Sequence, residues 1–376
     1  MPATKSLRAT VQAASNTPTL CLFMIVKNET LHMPRLIANV APLIDHAVIC
    51  DTGSTDSTLE CTRDALQQHG VAYTLHQHEW RNFGHNRTLA LRAARGICDY
   101  LLTLDADSEL VYQPSAAIKP QLATRLDEYS LTLEHGSLEF RRMVIFKDDP
   151  RIDWQCVGAV HEYFTAGAHN ATRGHVADIR IRTVGEAGGV RSGRFERDLA
   201  LLRDEVAHNP QDTRAQFYLA QTLRDLGRPQ ESAVEYRKRA TMGGWHEEVY
   251  YSLFQAAVLD GDAYDLLRAF AYRPGRADAA YACAKAFRDQ QDHALALLVC
   301  ERYQANRHLA ADDVLFIARD PKQWGMELEH ALARYYTGDV AGFTQRSEQL
   351  LRDTTLPEHI RELVQNNLAQ YGLGKS

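Results

Sequence analysis

Residues 100–108 constrain the fold more than any other stretch, because an apolar run there ends abruptly in two carboxylates. The run Tyr-Leu-Leu-Thr-Leu has the composition of a buried strand in a parallel sheet. Asp105 and Asp107 follow directly. Functional groups of open α/β sheets gather at the carboxyl ends of such strands, so we expect both side chains in a crevice. Two hard oxygen ligands suit Mg²⁺ or Mn²⁺, although an Asp-x-Asp pair alone is too common to establish a metal site.

Polar residues also follow two earlier apolar runs. The run at 20–26 precedes a polar segment at 27–29, and the run at 46–50 precedes one at 51–56. The second polar segment contains a glycine that permits a turn and Ser, Thr and Asp residues that can begin a helix. Both segments have the character expected of exposed strand ends.

Helical patterns separate the predicted strands. Apolar residues recur at helical spacing over 33–41 and 86–95, and a helix over 57–69 precedes a short strand at 71–76. Strands and helices that alternate at short intervals predict a parallel, doubly wound α/β sheet. The polar strand ends should then converge on one side of it.

The chain is longer than one hydrophobic core normally serves and changes character near a glycine-rich stretch. It has 376 residues, and the stretch at 185–193 is followed by almost entirely helical patterning. We therefore predict a flexible tail over 1–18, an α/β domain over 19–190 and an all-α domain over 191–376.

The helical half contains the large and small residues of a tetratricopeptide repeat. Residues 218–220, 226–227 and Ala233 fit that pattern, and weaker copies lie near Tyr281 and Tyr335. Paired helices of this kind bury their apolar faces against neighbours and form a concave surface for a partner or an extended substrate. An irregular helical appendage that caps the first domain is the alternative.

Composition limits the classes of function. A formal net charge of −6 argues against a broad electrostatic footprint for nucleic acid or anionic membrane. The seven cysteines are scattered and contain no Cys-x-x-Cys, which favours reduced thiols and a cytoplasmic location. No run approaches the ~18 apolar residues of a membrane-spanning helix.

The strand ends together describe a site for a nucleoside diphosphate. Asp51, after the second strand, can accept hydrogen bonds from a base or ribose, while a cation at Asp105 and Asp107 would neutralise the diphosphate. A diphosphate that departs develops negative charge as its bond breaks, and a cation stabilises that charge. We therefore expect a nucleoside diphosphate as leaving group.

These motifs resemble those of inverting family 2 glycosyltransferases. Residues 24–29 are similar to the family's opening strand, 48–56 to its donor-binding turn and 104–107 to its Asp-x-Asp motif. The resemblance implies the GT-A fold, a Rossmann-like, mainly parallel sheet found in nucleotide-diphospho-sugar transferases. Here a tetratricopeptide-like all-α domain would follow it.

Two further segments extend the resemblance. Residues 80–91 are similar to a family segment that reads Phe-x-x-Ala-Arg-Asn, in which Arg87 matches the Arg but Asn86 and Thr88 replace its neighbours. Residues 158–162 are similar to the Gly-x-Val-His-Glu segment of members that act on lipopolysaccharide cores and related acceptors.

The resemblance implies roles for individual residues. Glu162 would be the general base of an inverting displacement. Asp105 and Asp107, with His161 as a third ligand, would hold Mn²⁺ or Mg²⁺. The donor-binding residues would be Lys27, Asn28, Glu29, Asp51, Thr52, Ser54, Arg87, Asp105 and Ala106.

Structural alternatives stand beside these roles. Asp51 is also typical of a helix N-cap, and Glu162 of a surface carboxylate at a strand end. A single histidine such as His161 is more often structural than a ligand. Arg141 and Arg142 have the pattern of a solvated face.

The sequence as a whole favours a metal-dependent glycosyltransferase with a nucleotide-sugar donor, for which we expect a UDP-sugar. The acceptor is open among a glycan, a protein, a lipid-linked saccharide and a modified nucleic acid. One alternative is an inactive transferase-like scaffold that binds a partner through its helical repeats. Another is a sugar nucleotidyltransferase, although residues 24–29 lack the glycine-rich loop of that class.

Overall fold

The protein folds into two compact units. The first unit contains most of the described residues up to 184. The second contains the described residues from 194 onward together with Leu133–Arg141, Val160 and His161. The structure, a computed structural model, describes residues 17–113, 118–158, 160–184 and 194–372.

Strands form the centre of the first unit. In chain order they are β1 (Leu20–Val26), β2 (His46–Asp51), β3 (Ala72–Gln77), β4 (Tyr100–Thr103), β5 (Ser108–Tyr112), β6 (Glu128–His135), β7 (Leu138–Lys147), β8 (Gln155–Val157), β9 (Tyr163–Thr165) and β10 (Arg173–Thr183). Within the described residues the main sheet has the order β3-β2-β1-β4-β7-β6-β10-β5, and β8 and β9 form a separate antiparallel pair.

The sheet combines a parallel part with an antiparallel extension. β1 pairs with β2 and β4, and β2 pairs with β3, all in parallel. β1 and β2 are almost fully buried, as continuous apolar runs predict for strands covered on both faces. β4 pairs antiparallel with β7, and β5 antiparallel with β10. The predicted α/β fold is confirmed.

Three helices connect the parallel strands, and a short fourth follows them. They are α1 (Met33–Val40), α2 (Thr58–Gln68), α3 (Phe83–Ala94) and α4 (Ile118–Gln121). α3 packs against β1 and β8. A Cβ at Gly84 would lie only 2.9 Å from the carbonyl oxygen of Cys156, so the absence of a side chain there lets α3 approach β8 closely.

The second unit consists mainly of helices that pack against their neighbours in sequence. Where α6 (Thr213–Asp225) meets α7 (Pro229–Thr241), the Ser232 hydroxyl donates to the Ala220 carbonyl at 2.8 Å, which requires small residues on both helices. This is the close packing that the tetratricopeptide pattern predicts. The helices are α5 (Arg194–His208), α6 (Thr213–Asp225), α7 (Pro229–Thr241), α8 (His246–Asp260), α9 (Ala263–Tyr272), α10 (Ala277–Asp289), α11 (His293–Asn306), α12 (Met326–Tyr336), α13 (Val340–Leu351) and α14 (Glu358–Asn367).

The turns inside three helix pairs share one design. Each has a residue with positive φ followed by an aspartate, at 261–262, 291–292 and 338–339. The left-handed residue ends one helix, and the aspartate side chain accepts backbone N–H groups at the start of the next. These repeated turns support the repeat-like organisation that the sequence indicated.

One turn of the main sheet belongs to the second unit. The segment Leu133–Arg141 pairs with β11 (Ile317–Ala318), and the rings of Phe140 and Phe316 lie 5.0 Å apart. A domain over 19–190 would include this turn. The structure groups it with the helices because its packing partners come from that part of the chain.

Two predicted features lie outside the described residues. The first is the tail over 1–18, of which only residues 17 and 18 are described. The second is the stretch at 185–193, which contains the predicted boundary. The division at residue 190 therefore stays a prediction. Of the helices that the structure describes, none has the length and apolar character needed to cross a bilayer.

Candidate active site

Three polar segments lie at one edge of the sheet. β2, β1 and β4 are adjacent and parallel, with Val26 of β1 paired with Asp51 of β2. The carboxyl ends of parallel strands meet at the same edge. The sheet therefore brings together the polar segments at 27–29, 51–56 and 105–107.

The carboxylate of Asp51 is occupied by its own turn. Asp51 is 2% exposed, and it accepts hydrogen bonds from the backbone N–H groups of Gly53 and Ser54, both at 3.1 Å, and from the Ser54 hydroxyl. Gly53 has a φ of +98°, which glycine adopts without strain. Because α2 begins after Ser57, Asp51 caps this turn and not the helix.

The end of β1 is tied to the same turn. Asn28 has a φ of +58°, and its backbone N–H donates to the Ser54 hydroxyl oxygen at 3.0 Å. The side-chain oxygen of Asn28 accepts from the Thr55 N–H at 2.8 Å. The Thr52 hydroxyl donates to the last carbonyl of β1, while Lys27 is exposed. Two of the predicted donor-binding segments thus form one hydrogen-bonded surface.

Arg87 joins two carboxylates that are distant in sequence. Asn82 caps α3, which carries Arg87 into the interior, where it is 6% exposed. Its Nη2 donates to Asp105 Oδ1 at 2.5 Å, and its Nε donates to Glu162 Oε1 at 2.8 Å. Burial alone would lower the pKa of Arg87, but the charges of Asp105 and Glu162 outweigh it and hold the pKa above its usual range.

A second arginine reaches the other oxygen of Asp105. Arg142 Nη1 donates to Asp105 Oδ2 at 2.9 Å. β4 and β7 pair with Leu102 opposite Ile145, and the same antiparallel register places Arg142 opposite Asp105. Burial would raise the pKa of the Asp105 carboxyl, but Arg87 and Arg142 together hold it far below its usual range. The interpretation of Arg142 as part of a solvated face is therefore wrong.

Asp107 has the opposite environment. Burial raises the pKa of its carboxyl, and the charges of Asp105 and Glu29 raise it further. Glu29 itself contacts His32 Nδ1 at 2.6 Å. In the part of the chain that the structure describes, no ion pair neutralises Asp107. Mg²⁺ and Mn²⁺ prefer hard carboxylate oxygens whose charge is not balanced by an ion pair. The Asp107 carboxylate therefore fits a divalent cation.

The turn that carries Asp107 is held from α1. The Arg35 guanidinium donates to the backbone carbonyls of Ala106 at 3.3 Å, Ser108 at 3.5 Å and Val184 at 3.4 Å. Ala106 is buried. Sequence reasoning missed Arg35 because its partners are backbone oxygens distant in sequence. The amphipathic pattern of α1 carries no signal for them.

Glu162 and His161 are neighbours in sequence but belong to different units. The Glu162 side chain is 12% exposed and is held by Arg87 within the first unit. His161 has a φ of +53°, and its ring stacks on Tyr218 with the centroids 3.8 Å apart. Its carbonyl accepts from Arg214 at 3.3 Å, also within the second unit. The predicted roles of Glu162 as base and His161 as metal ligand stay predictions.

Among the described residues, one group of three possible metal ligands lies close together. It consists of His246, Glu247 and Asp313, in the second unit. One Glu247 oxygen already accepts two backbone N–H groups, at 2.7 and 2.8 Å. Asp313 is paired with Arg273 and Arg276. These carboxylates are satisfied by the protein itself, and the group has no need of a cation.

Comparison with known proteins identifies the first part of the chain. Residues 21–132 match the family model described as Glycosyl transferase family 2. A TPR repeat-containing protein of Synechococcus elongatus is 36% identical over 139 residues, which cover 36% of this chain and 33% of that protein. The match thus spans about a third of the length of this curated relative.

Several solved structures also resemble the chain. The mannosyltransferase PcManGT from Pyrobaculum calidifontis, in complex with GDP-Man and Mn²⁺, is 16% identical, with a TM-score of 0.35 over 90% of this chain and 89% of that one. TarS from S. aureus is 13% identical, with a TM-score of 0.36 over 67% and 55%. The MamA protein is 17% identical, with a TM-score of 0.33 over 49% and 90%.

The family match covers β1 to β4 and the acidic segments that follow β2 and β4. Beyond it, the helical pairs of the second unit have the packing and turns described above. Residues 21–132 thus match the model of glycosyl transferase family 2, in a chain whose second unit consists of tetratricopeptide-like helices.

Proposed function

We propose that the protein is a glycosyltransferase that moves a sugar from a nucleoside-diphosphate sugar to an acceptor nucleophile with inversion. The observation that carries this proposal is the position of Asp107. It follows the strand that bears the family motif, and its charge is left without an ion pair among the described residues. A scaffold without a ligand would gain nothing from a crowded carboxylate of this kind.

The donor would lie along the edge formed by the strand ends. Asp51 and its turn present a rigid polar surface for the base or ribose, and we expect a UDP-sugar. The hydrogen bonds between Asn28 and the turn hold this surface in one shape before the donor arrives, which lowers the entropic cost of binding. The donor-binding residues we propose are Lys27, Asn28, Glu29, Asp51, Thr52, Ser54, Asp105 and Ala106.

Mn²⁺ or Mg²⁺ would be held chiefly by Asp107. Such a cation supplies positive charge that stabilises the departing diphosphate. Asp105 lies two residues away, but both of its oxygens accept hydrogen bonds from arginines, so its share in the metal site would be smaller. His161 remains a proposed third ligand.

Glu162 is the general base we propose for the acceptor. Inversion requires a base on the face of the sugar opposite the leaving group, and a carboxylate is a suitable group. The Arg87 Nε–H bond to Glu162 Oε1 orients this carboxylate. The acceptor is a glycan, a protein, a lipid-linked saccharide or a modified nucleic acid, and the second unit supplies helices for a further contact.

Binding of nucleotides tests the proposal most directly. UDP, GDP, CDP and ADP would be screened by thermal shift with Mn²⁺ and with EDTA. We expect one of them to raise the melting temperature only with Mn²⁺, by mass action on the folded state. Asp107→Asn should abolish the shift, whereas Asp64→Asn, at an exposed acid on α2, should retain it.

Turnover provides the second test. The sugar nucleotide of the selected base would be incubated with Mn²⁺, and release of the nucleoside diphosphate would be measured. Release that depends on Asp107 supports the proposal. If no nucleoside diphosphate binds with any divalent cation, the proposed function is wrong and the scaffold alternative takes its place.

A further inference from the structure

Two arginines bind Asp105, but their surroundings differ. The Arg87 side chain comes from α3 and is 8% exposed, whereas the Arg142 side chain comes from β7 and is 32% exposed. Asp105 accepts one hydrogen bond from each, on separate oxygens. Only one of the two guanidinium groups is therefore accessible to a ligand at the strand ends.

Arg87 is committed to the protein. Its Nε and Nη2 each hold a different carboxylate, and the ring of Phe83 lies 6.0 Å from its guanidinium carbon. If Arg87 turned toward a ligand, Glu162 would lose the ion pair it forms within the first unit. A mostly buried carboxylate without a partner is costly, which holds Arg87 in place.

Arg142 has donors to spare. Within the described residues only its Nη1 makes a side-chain hydrogen bond, to Asp105. A guanidinium group carries five N–H donors, and its planar fork matches two oxygens of a phosphate group. Arg142 can therefore keep its bond to Asp105 and bind a ligand oxygen at the same time.

The negative charge near Asp105 favours a cationic side chain that can contact the ligand. A nucleoside diphosphate would bring further negative charge to an edge that already holds Asp107 and Glu29, which follow the adjacent parallel strands β4 and β1. One divalent cation balances part of this charge. The accessible guanidinium of Arg142 is bonded to Asp105, two residues before Asp107 in the chain. It is therefore placed to balance the remaining negative charge.

We infer that Arg142, and not Arg87, is the arginine that contacts the diphosphate of the donor. The inference rests on the proposed function and reassigns the arginine that the family motif suggested. Arg87 then serves as the internal link between Asp105 and Glu162. Arg142 holds Asp105 from the accessible side and presents its remaining N–H groups to phosphate oxygens.

Isothermal titration of UDP and of GDP, each with Mn²⁺, tests the inference. For the nucleotide that binds, Arg142→Gln should raise Kd by about tenfold or more, since a charge-assisted hydrogen bond is lost. Arg142→Lys keeps the charge but not the fork, and we expect an increase of about threefold or more. The matched control is Arg141→Gln, which removes the same charge from an exposed neighbour on β7 and should leave Kd unchanged.

The outcomes separate the two proposals. If the unaltered protein binds neither UDP nor GDP nor another nucleoside diphosphate, the proposed function fails. If it binds and Arg142→Gln binds equally well, only the Arg142 assignment fails. The melting temperature of each variant shows whether it is folded. If Arg142→Gln is not folded, the Kd of Arg142→Lys is the test. An unchanged Kd in Arg142→Lys then overturns the assignment.

Discussion

Removal of Arg87 should destabilise the first unit through the carboxylates it leaves behind. We consider Arg87→Met, which keeps the length of the side chain and removes its charge. Glu162 is 12% exposed and would lose its ion pair, while Asp105 is 34% exposed and would retain Arg142. Breaking a buried ion pair from one side costs about 3–5 kcal/mol. Because Asp105 is partly solvated and still paired, we expect about 3 kcal/mol.

The measurement should report on the first unit alone. Hydrogen exchange in increasing urea, read on peptides from β1 and β4, gives the free energy of unfolding of that region. Arg92→Met, at an exposed position on α3, is the matched control and should change this free energy by less than about 0.5 kcal/mol.

A double variant distinguishes charge from packing. Arg87→Met combined with Glu162→Gln removes the charge that the single variant leaves uncompensated, so it should recover at least half of the lost stability. Equal instability of the single and double variants would show that Arg87 acts through packing. A loss below about 1 kcal/mol in the single variant would refute the reasoning altogether.

Four further predictions concern single positions. Burial and two nearby arginines lower the pKa of His330 to about 4. As the pH falls, the imidazole is therefore protonated in the unfolded chain before it is protonated in the folded one. The free energy of unfolding should therefore have its full value above about pH 6.5 and fall by about 3 kcal/mol toward pH 4. Urea titrations at each pH should show no such fall for His330→Gln. Asp107→Asn removes a carboxylate whose pKa is raised, so its melting temperature without metal should rise, while Mn²⁺-dependent nucleotide binding disappears. Glu162→Gln should bind nucleotide normally but transfer sugar ~10²-fold more slowly, as measured by product formation at saturating donor. Gly84→Ala should cost about 1–3 kcal/mol, because its Cβ would meet the Cys156 carbonyl; unchanged urea unfolding would contradict this packing.

The residues at the site form a chain of alternating charge. Glu162, Arg87, Asp105 and Arg142 follow one another through bonds of 2.8, 2.5 and 2.9 Å. Each inner member has a partner of opposite charge on both sides. The proposed base and the family's acidic motif are therefore positioned by the same arginine.

Local sequence was sufficient for the elements that depend on local chemistry. The strand over 20–26 and the helix over 33–41 were recognised because apolar residues repeat at the spacing of each element, and the structure has them within a residue of the predicted bounds. The polar segments after β1, β2 and β4 were recognised in the same way. The site residues among them stay predictions until ligand binding is measured.

Long-range pairing was beyond such reasoning. Arg142 was misinterpreted because a doublet of arginines in a strand has the same local pattern whether it faces solvent or a carboxylate. The partner of β7 decides between these, and the antiparallel register with β4 is a property of the folded sheet.

By itself the sequence determined which segments are strands and helices and where the acidic strand ends occur. It also determined which family the first part of the chain resembles. These features follow from periodicity and short motifs. Only the tertiary structure decided that Arg87 lies between Asp105 and Glu162, which is 75 residues away, and that Arg142 lies opposite Asp105. It also decided that Asp107, unlike Asp105, forms no ion pair within the described residues. The physical reason is that ionic partners are selected by strand register and helix packing, which join residues that no local pattern relates.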